Sequence, residues 1–252
     1  MIVNIDVHET ASTFEEAAAA FIASQVHASI QDRGKFIISL SGGDTPRGVY
    51  RRLATAPYRD RIDWNRVHVC FGDERFVPPD DPQSNFGMVN AELLSRVPIP
   101  ERNVHRIHGE SAPEGAAREY AKELKSVLDG RTDRFDLVLL GVGEDGHTAS
   151  LFPGTGVLEE RNETVRAVYV PRLNSWRVTM TYPLLNNARD VLFLVAGKEK
   201  AGIVQRVLSA RRPLHDLPAT MIRPVNGRVL WMLDKAAASL GNESVPGSVF
   251  LA

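Results

Sequence analysis

The chain has 252 residues, of which 43% are hydrophobic and 24% are charged, and this composition is typical of a folded globular protein. Its 30 basic and 31 acidic residues nearly cancel, so the overall charge gives no reason to expect a nucleic-acid partner. One cysteine, Cys70, excludes an internal disulfide; it lies in an apolar run, which favours a small buried side chain over a nucleophile.

The N-terminal residues MIVNIDVHET lack the basic and apolar regions of a signal peptide. No apolar run approaches the roughly 20 residues that a membrane-spanning helix needs. We therefore expect a cytoplasmic protein that has no membrane partner, and the absence of disulfides suits that reducing compartment.

The first element that the sequence predicts is a helix from Ser12 to about Gln31. Two pairs have the spacing of a capping box, Ser12 with Glu15 and Thr13 with Glu16, and a run of four alanines follows.

Five short apolar runs then predict strands, because each is rich in aliphatic residues and leads toward a turn and a helix-like stretch. They are Phe36–Leu40, Val67–Phe71, Leu137–Leu140, Val191–Val195 and Val229–Leu233. Strands that alternate with helices and are apolar throughout are typical of a mostly parallel sheet with both faces covered. The runs Val165–Val170 and Val178–Thr181 fit a local antiparallel edge, and the proline-rich stretches Val77–Pro82 and Val97–Pro100 fit loops. We expect one α/β domain over residues 1–252, with helices flanking the sheet.

A glycine-rich motif directly follows the strand Phe36–Leu40. It consists of Ser41, Gly42, Gly43, Asp44, Thr45 and Pro46. The glycines permit a tight turn, and Asp44 or Thr45 can cap a helix that has Pro46 in its first turn. A helix N-terminus of this kind binds anions, although a simple turn without a ligand fits the motif equally well. The spacing matches neither a P-loop nor a dinucleotide fingerprint.

Three adjacent charges, Asp73, Glu74 and Arg75, follow the strand Val67–Phe71, and Ser84-Asn85 comes shortly after them. The guanidinium of Arg75 can bind a phosphate through two hydrogen bonds. The alternative is a structural ion pair among the three charges, and the residues alone leave both interpretations open.

The most informative motif follows the strand Leu137–Leu140 and runs GVGEDGHTASLFP over residues 141–153. His147 lies in a glycine-rich turn, and the ordinary histidine pKa of about 6.5 lets this side chain accept a proton near neutrality. Asp145 can orient the imidazole. A Ser-His-Asp triad fits poorly because the Gly-x-Ser-x-Gly elbow is missing, and the other six histidines show no metal-ligand spacing with His147.

Two more basic residues come late in the chain. Arg177 precedes the run Val178–Thr181, and Lys198 follows the strand Val191–Val195. Because ligands bind at the carboxyl ends of parallel strands, the glycine turn, Arg75 and Lys198 indicate a phosphate site beside His147.

Taken in order, these motifs resemble the 6-phosphogluconolactonase family, which belongs to a larger group that includes glucosamine-6-phosphate deaminases. The similar segments are SGGDTP, GDERFVP with SN after it, GVGEDGHTASLFPG, RVTMTYPLLNNARDVLFLVAGKEK, LPATMIRP and WMLDKAAA. The most specific is DGHTASLFP, because the deaminases share its DGH core but typically continue toward Asn-Glu-Pro.

The resemblance implies a modified Rossmann-like fold and the hydrolysis of 6-phosphogluconolactone, the second step of the oxidative pentose phosphate pathway. It implies His147 as the base that activates water, with Asp145 supporting it. The sugar-phosphate contacts that it implies are Ser41, Gly42, Gly43, Asp44, Thr45, Arg75, Arg177 and Lys198.

The sequence departs from the family pattern in two places. Asp44 stands where members often carry serine, and 173–176 (Leu-Asn-Ser-Trp) replace proline-rich residues before Arg177.

Lactone hydrolysis changes no oxidation state, so we expect no redox cofactor and no metal. Two rivals remain: an isomerase or deaminase acting on an amino-sugar phosphate, and a sugar-phosphate sensor without catalysis. We expect a small-molecule sugar-phosphate lactone as the partner and a monomer or weak homo-oligomer as the assembly state.

Overall fold

The computed structural model describes residues 2–128, 134–240, 243–244 and 248–250, which form two main sheets with helices around them. The strands are β1 (Ile2–His8), β2 (Phe36–Leu40), β3 (Val67–Phe71), β4 (Asp73–Arg75), β5 (Leu137–Leu140), β6 (Val165–Val170), β7 (Ser175–Met180), β8 (Asp190–Val195), β9 (Arg228–Asp234), β10 (Ser239–Leu240), β11 (Glu243–Ser244) and β12 (Ser248–Phe250). The α-helices are α1 (Ala11–Arg33), α2 (Thr45–Leu53), α3 (Tyr58–Arg61), α4 (Asn85–Glu92), α5 (Pro113–Val127), α6 (Tyr182–Leu185) and α7 (Ala201–Leu208).

The large sheet has the strand order β12-β1-β9-β8-β5-β2-β3, and every neighbouring pair is parallel except β1 with β12. The five strands predicted from apolar runs are all present, and the prediction of a mostly parallel α/β sheet is confirmed. Strand β1 escaped prediction because it alternates: Val3 and Ile5 are buried, whereas Asn4 and Asp6 face solvent. The stretches predicted as loops, Val77–Pro82 and Val97–Pro100, contain no helix or strand.

Helix α1 is longer than predicted, and the predicted cap is wrong. The N-cap is Thr10, whose hydroxyl accepts a hydrogen bond from the backbone N–H of Thr13 at 3.2 Å. The Thr13 hydroxyl accepts the Thr10 backbone N–H in return, at 3.1 Å, so a threonine takes the place that glutamate holds in the usual capping box. The helix ends at Gly34, whose left-handed backbone (φ 81°) terminates it.

The small sheet is antiparallel and has the order β4-β7-β6. The runs predicted as an antiparallel edge do pair with each other, but they form this separate sheet and not an edge of the large one. Residues 171–173 make a turn of 3₁₀ helix between β6 and β7, and Asn174 closes it in the left-handed conformation (φ 45°).

The chain leaves two central neighbours, β2 and β5, in opposite directions: from β2 it continues to β3 on one side, and from β5 to β8 on the other. Such a switch point opens a crevice at the carboxyl ends of the strands, where open α/β sheets bind ligands. The strands beneath it are buried, and Cys70 in β3 is fully buried as predicted. Within the described ranges, none of the helices combines the length and the apolar character needed to cross a membrane.

Candidate functional site

A cavity of about 390 Å³ opens at the carboxyl ends of β2 and β5. Loops that follow β2, β3, β5 and β8 line it. The polar and glycine positions of the lining are Ser41, Gly42, Gly43, Asp44, Thr45, Asp73, Arg75, Asn85, Gly141, Gly143, Glu144, His147, Thr148, Glu199 and Lys200. Three of the four sequence motifs therefore meet in one place, although the chain separates them by up to about a hundred residues.

The glycine-rich loop after β5 folds back on itself and presents His147 to this cavity. The backbone N–H of Gly143 donates to the carbonyl of His147 at 2.9 Å, and the Thr148 hydroxyl donates to the carbonyl of Gly141 at 2.8 Å. A Cβ atom at Gly143 would lie 2.0 Å from the imidazole ring, so only glycine allows the ring to approach the loop this closely.

His147 is hydrogen-bonded to Asp145, with 2.5 Å between imidazole Nδ1 and carboxylate Oδ1. Burial raises the pKa of the Asp145 carboxyl, but the hydrogen bonds from His147 and the charges of His147 and Arg172 outweigh it and lower the pKa to about 2. An ionised carboxylate only accepts hydrogen bonds, so the proton resides on Nδ1. Nε2 then carries the lone pair, and within the described residues no hydrogen bond occupies it.

The loop after β2 leaves one backbone N–H at the start of α2, that of Thr45, available to a ligand, because Pro46 has no N–H and the Arg47 N–H donates to the carbonyl of Asp44 at 3.2 Å. Asp44 is the N-cap residue, but neither its side chain nor that of Thr45 caps the helix, which corrects the capping role expected from the sequence. The Asp44 carboxylate is 99% exposed and pairs with Arg47 at 3.1 Å. The Tyr50 hydroxyl holds the loop by donating to the carbonyl of Ser41 at 2.7 Å. A free N–H at a helix N-terminus favours an anion at this position.

Asp73, Glu74 and Arg75 each contact different groups. Among the described residues, the three side chains form no ion pair with one another. Asp73 accepts a hydrogen bond from the Ser150 hydroxyl at 2.6 Å, which ties the small sheet to the His147 loop. Glu74 is buried, and it accepts the backbone N–H groups of Asn85 and Phe86 at the start of α4.

Arg75 lies half-buried at the cavity. One of its terminal nitrogens donates to the carbonyl of Gln83 at 2.6 Å, which fixes the side chain and leaves its other N–H groups for a ligand.

The late basic residues, Arg177 and Lys198, are not among those that line the cavity. Arg177 is buried and outside the cavity lining; its guanidinium donates to Ser175 and to the carbonyl of Trp176, at 2.6 and 2.9 Å. Lys198 is exposed and also outside the lining, whereas Lys200, two residues later, lines the cavity. Residues 198–200 form a 3₁₀ turn, which directs the two lysines to different sides.

Among the polar cavity residues that were not assigned to the site from the sequence are Asp73, Asn85, Glu199 and Lys200. Asp73 and Asn85 stood inside motifs that drew attention, yet the bridge from Asp73 to Ser150 spans residues too far apart for any local pattern to reveal. Lys200 could have been found from the sequence, because it lies two residues after Lys198 in the same turn.

Comparison with known proteins agrees with this architecture. The profile of the family described as glucosamine-6-phosphate isomerases/6-phosphogluconolactonase matches residues 9–231. The protein named 6-phosphogluconolactonase from Haemophilus influenzae is 39% identical over 203 residues, which cover 81% of this chain and 86% of that one. Its human namesake is 39% identical over 241 residues, which cover 94% and 93%.

Solved structures give the same result. The crystal structure of 6-phosphogluconolactonase from Thermotoga maritima superposes with a TM-score of 0.80 at 33% identity, covering 92% of this chain and all of that one. A monomeric glucosamine-6-phosphate deaminase of 22% identity also reaches a TM-score of 0.80, which shows the shared fold alone. The chain therefore belongs to the family of glucosamine-6-phosphate isomerases and 6-phosphogluconolactonases.

Proposed function

We propose that this protein hydrolyses 6-phospho-D-glucono-1,5-lactone to 6-phospho-D-gluconate, the second step of the oxidative pentose phosphate pathway. Family membership and the relatives named 6-phosphogluconolactonase support this assignment. The observation that carries it is His147, which is paired with Asp145 and lines the same cavity as the start of α2, Arg75 and Lys200.

In the proposed reaction, His147 acts as the general base. Its Nε2 accepts a proton from water while the water oxygen bonds to the lactone carbonyl carbon, and the carbonyl oxygen gains the negative charge. Asp145 stabilises the imidazolium that forms. The bond from the carbonyl carbon to the ring oxygen then breaks, and the imidazolium returns the proton to that oxygen. The acid product and the neutral base result, so the cycle needs no redox cofactor.

The 6-phosphate is assigned to the two cations of the cavity lining and to the start of α2. The backbone N–H of Thr45, the guanidinium of Arg75 and the ammonium of Lys200 are the donors we assign to it. Lys200 replaces Lys198 in this assignment because it lines the cavity. Arg177 pairs in register with Arg75 between β4 and β7, and it is assigned no direct contact with the phosphate.

The partner in this proposal is a small sugar-phosphate lactone, and we infer that the protein works in the cytoplasm as a monomer or weak homo-oligomer. The rival within the same family is a deaminase or isomerase of an amino-sugar phosphate. The Leu151-Phe152-Pro153 continuation of the histidine loop favours the lactonase.

The test is a comparison of two substrates with one purified protein. Freshly prepared lactone 6-phosphate is followed by acid release above the spontaneous rate, and glucosamine 6-phosphate is followed by ammonia release. We expect turnover of the lactone only. Ammonia release without lactone hydrolysis would assign the chain to the other branch, and inactivity on both would favour a sensor.

A further inference from the structure

The turn between β6 and β7 places Arg172 next to Asp145, the partner of His147. We propose that Arg172 is a positioning residue, which holds Asp145 and, through it, the imidazole of His147 in the reactive orientation. The proposal rests on the proposed function for its kinetic consequences. Arg172 is not among the residues that line the cavity.

The first contact that supports this role is an ion pair. A terminal nitrogen of Arg172 lies 2.6 Å from Oδ2 of Asp145, while Oδ1 of the same carboxylate is 2.5 Å from Nδ1 of His147. The two oxygens are thus divided between the arginine and the histidine. A carboxylate held at both oxygens loses its freedom to rotate, so the direction of the hydrogen bond to His147 is set by Arg172.

A second contact reaches the same imidazole by a separate route. The ring of Phe152, which is buried, stacks on the imidazole of His147 with 4.1 Å between ring centroids. The guanidinium carbon of Arg172 lies 4.9 Å from the centroid of that Phe152 ring. Arg172 therefore contacts both groups that contact His147, one through an ion pair and one through a cation–π interaction.

The backbone that carries Arg172 is itself fixed. The N–H of Asn174 donates to the carbonyl of Pro171 at 3.1 Å, and the Tyr169 hydroxyl donates to the Asn174 side chain, which closes the turn. The turn belongs to the small sheet, whereas Asp145 and His147 follow a strand of the large sheet. Arg172 thus joins the two sheets at the point where the proposed base must be aligned.

The test replaces Arg172 with methionine, which keeps length and removes charge. A matched control is Arg166→Met: Arg166 lies in β6, pairs with Glu160 at 3.6 Å, and is 52% exposed against 53% for Arg172. We expect Arg172→Met to lower kcat roughly tenfold with KM for lactone 6-phosphate unchanged, and Arg172→Lys to recover most of the loss. Arg166→Met should leave both constants unchanged.

A double-mutant cycle separates positioning from general destabilisation. In an Asp145→Asn background, adding Arg172→Met should lower kcat less than twofold, because the charged carboxylate through which Arg172 mainly acts is gone and only its contact with Phe152 remains. An undiminished tenfold effect in that background, or no effect of Arg172→Met in the wild type, would overturn the proposal.

A measurement on the free protein distinguishes this proposal from the proposed function. With ¹⁵N-labelled histidine, the Nδ1 proton of His147 should give a downfield resonance that shifts in Arg172→Met and is unchanged in Arg166→Met. If that shift is seen while the wild type fails to hydrolyse the lactone, the positioning role stands and the assigned reaction falls. An unshifted resonance overturns the positioning role whatever the activity.

Discussion

The two lysines at the start of the loop after β8 give a sharp test of how the cavity recognises phosphate. Lys200 lines the cavity and is half-buried, whereas Lys198 is exposed and lies outside the lining. Replacing each with methionine removes one charge from the same 3₁₀ turn. Only Lys200→Met should lower kcat/KM for the phosphorylated substrate, because only the Lys200 ammonium is assigned to the phosphate.

The magnitude follows from the kind of contact. A hydrogen bond to a charged group contributes roughly 1.5–3 kcal/mol, and each 1.4 kcal/mol is a factor of ten. Losing the Lys200 contact should therefore lower kcat/KM for lactone 6-phosphate by about 10- to 100-fold. Plain gluconolactone, which makes no such contact, should change less than twofold, and Lys198→Met should change less than twofold on both substrates.

The assay measures kcat/KM for wild type and both variants on both lactones. The ratio between phosphorylated and plain lactone is the informative quantity, because it cancels effects on folding and on chemistry at the carbonyl. The reasoning is refuted if Lys200→Met slows both lactones by one factor, or if Lys198→Met lowers the ratio as much as Lys200→Met does.

Three further outcomes are expected. Gly143→Ala should lower kcat about 100-fold, since its Cβ would displace the His147 ring, whereas Gly202→Ala, in α7 outside the cavity lining and with open space around its Cβ, should change kcat less than twofold. Burial and the neighbouring His105 lower the pKa of His68 to about 4, below its value of about 6.5 in the unfolded chain. The contribution of His68 to the free energy of unfolding should therefore be at its maximum above pH 6.5 and should decrease as the pH falls toward 4. Urea unfolding of the wild type and of His68→Gln at a series of pH values tests this; an equally steep loss of stability in both proteins would contradict it. EDTA should leave turnover unchanged, because no group of three metal-binding side chains occurs in the part of the chain that the structure describes; activity lost to EDTA and restored by one divalent ion would count against it.

The strands of the large sheet could be predicted because burial on both faces requires continuous apolar sequence. Runs such as Phe36–Leu40 carry that signal within five residues. β1 does not, since its alternating pattern also fits an irregular N-terminal segment. The N-cap of α1 was misplaced because Thr10 and Thr13 satisfy each other through hydroxyls, a pairing that the usual serine–glutamate pattern does not describe.

Contacts within the site could be predicted where both residues lie in one loop, and were harder to predict where the residues come from different elements. His147 and Asp145 are two residues apart, so their contact is visible in the sequence. The side of a short turn on which Lys198 falls depends on the local helix type, and the direction of Arg177 depends on hydrogen bonds within β7. Arg172 reaches Asp145 from another sheet, which only the tertiary structure reveals.

The measurement that tests the account most directly is the turnover of lactone 6-phosphate by the wild type and by His147→Gln, each corrected for spontaneous hydrolysis. The wild type should hydrolyse the lactone, and the variant should retain its fold while kcat falls by roughly 10²–10⁴, the usual contribution of general acid–base catalysis. A His147→Gln protein that turns over lactone 6-phosphate at nearly the wild-type rate would contradict the central claim that this imidazole activates the attacking water.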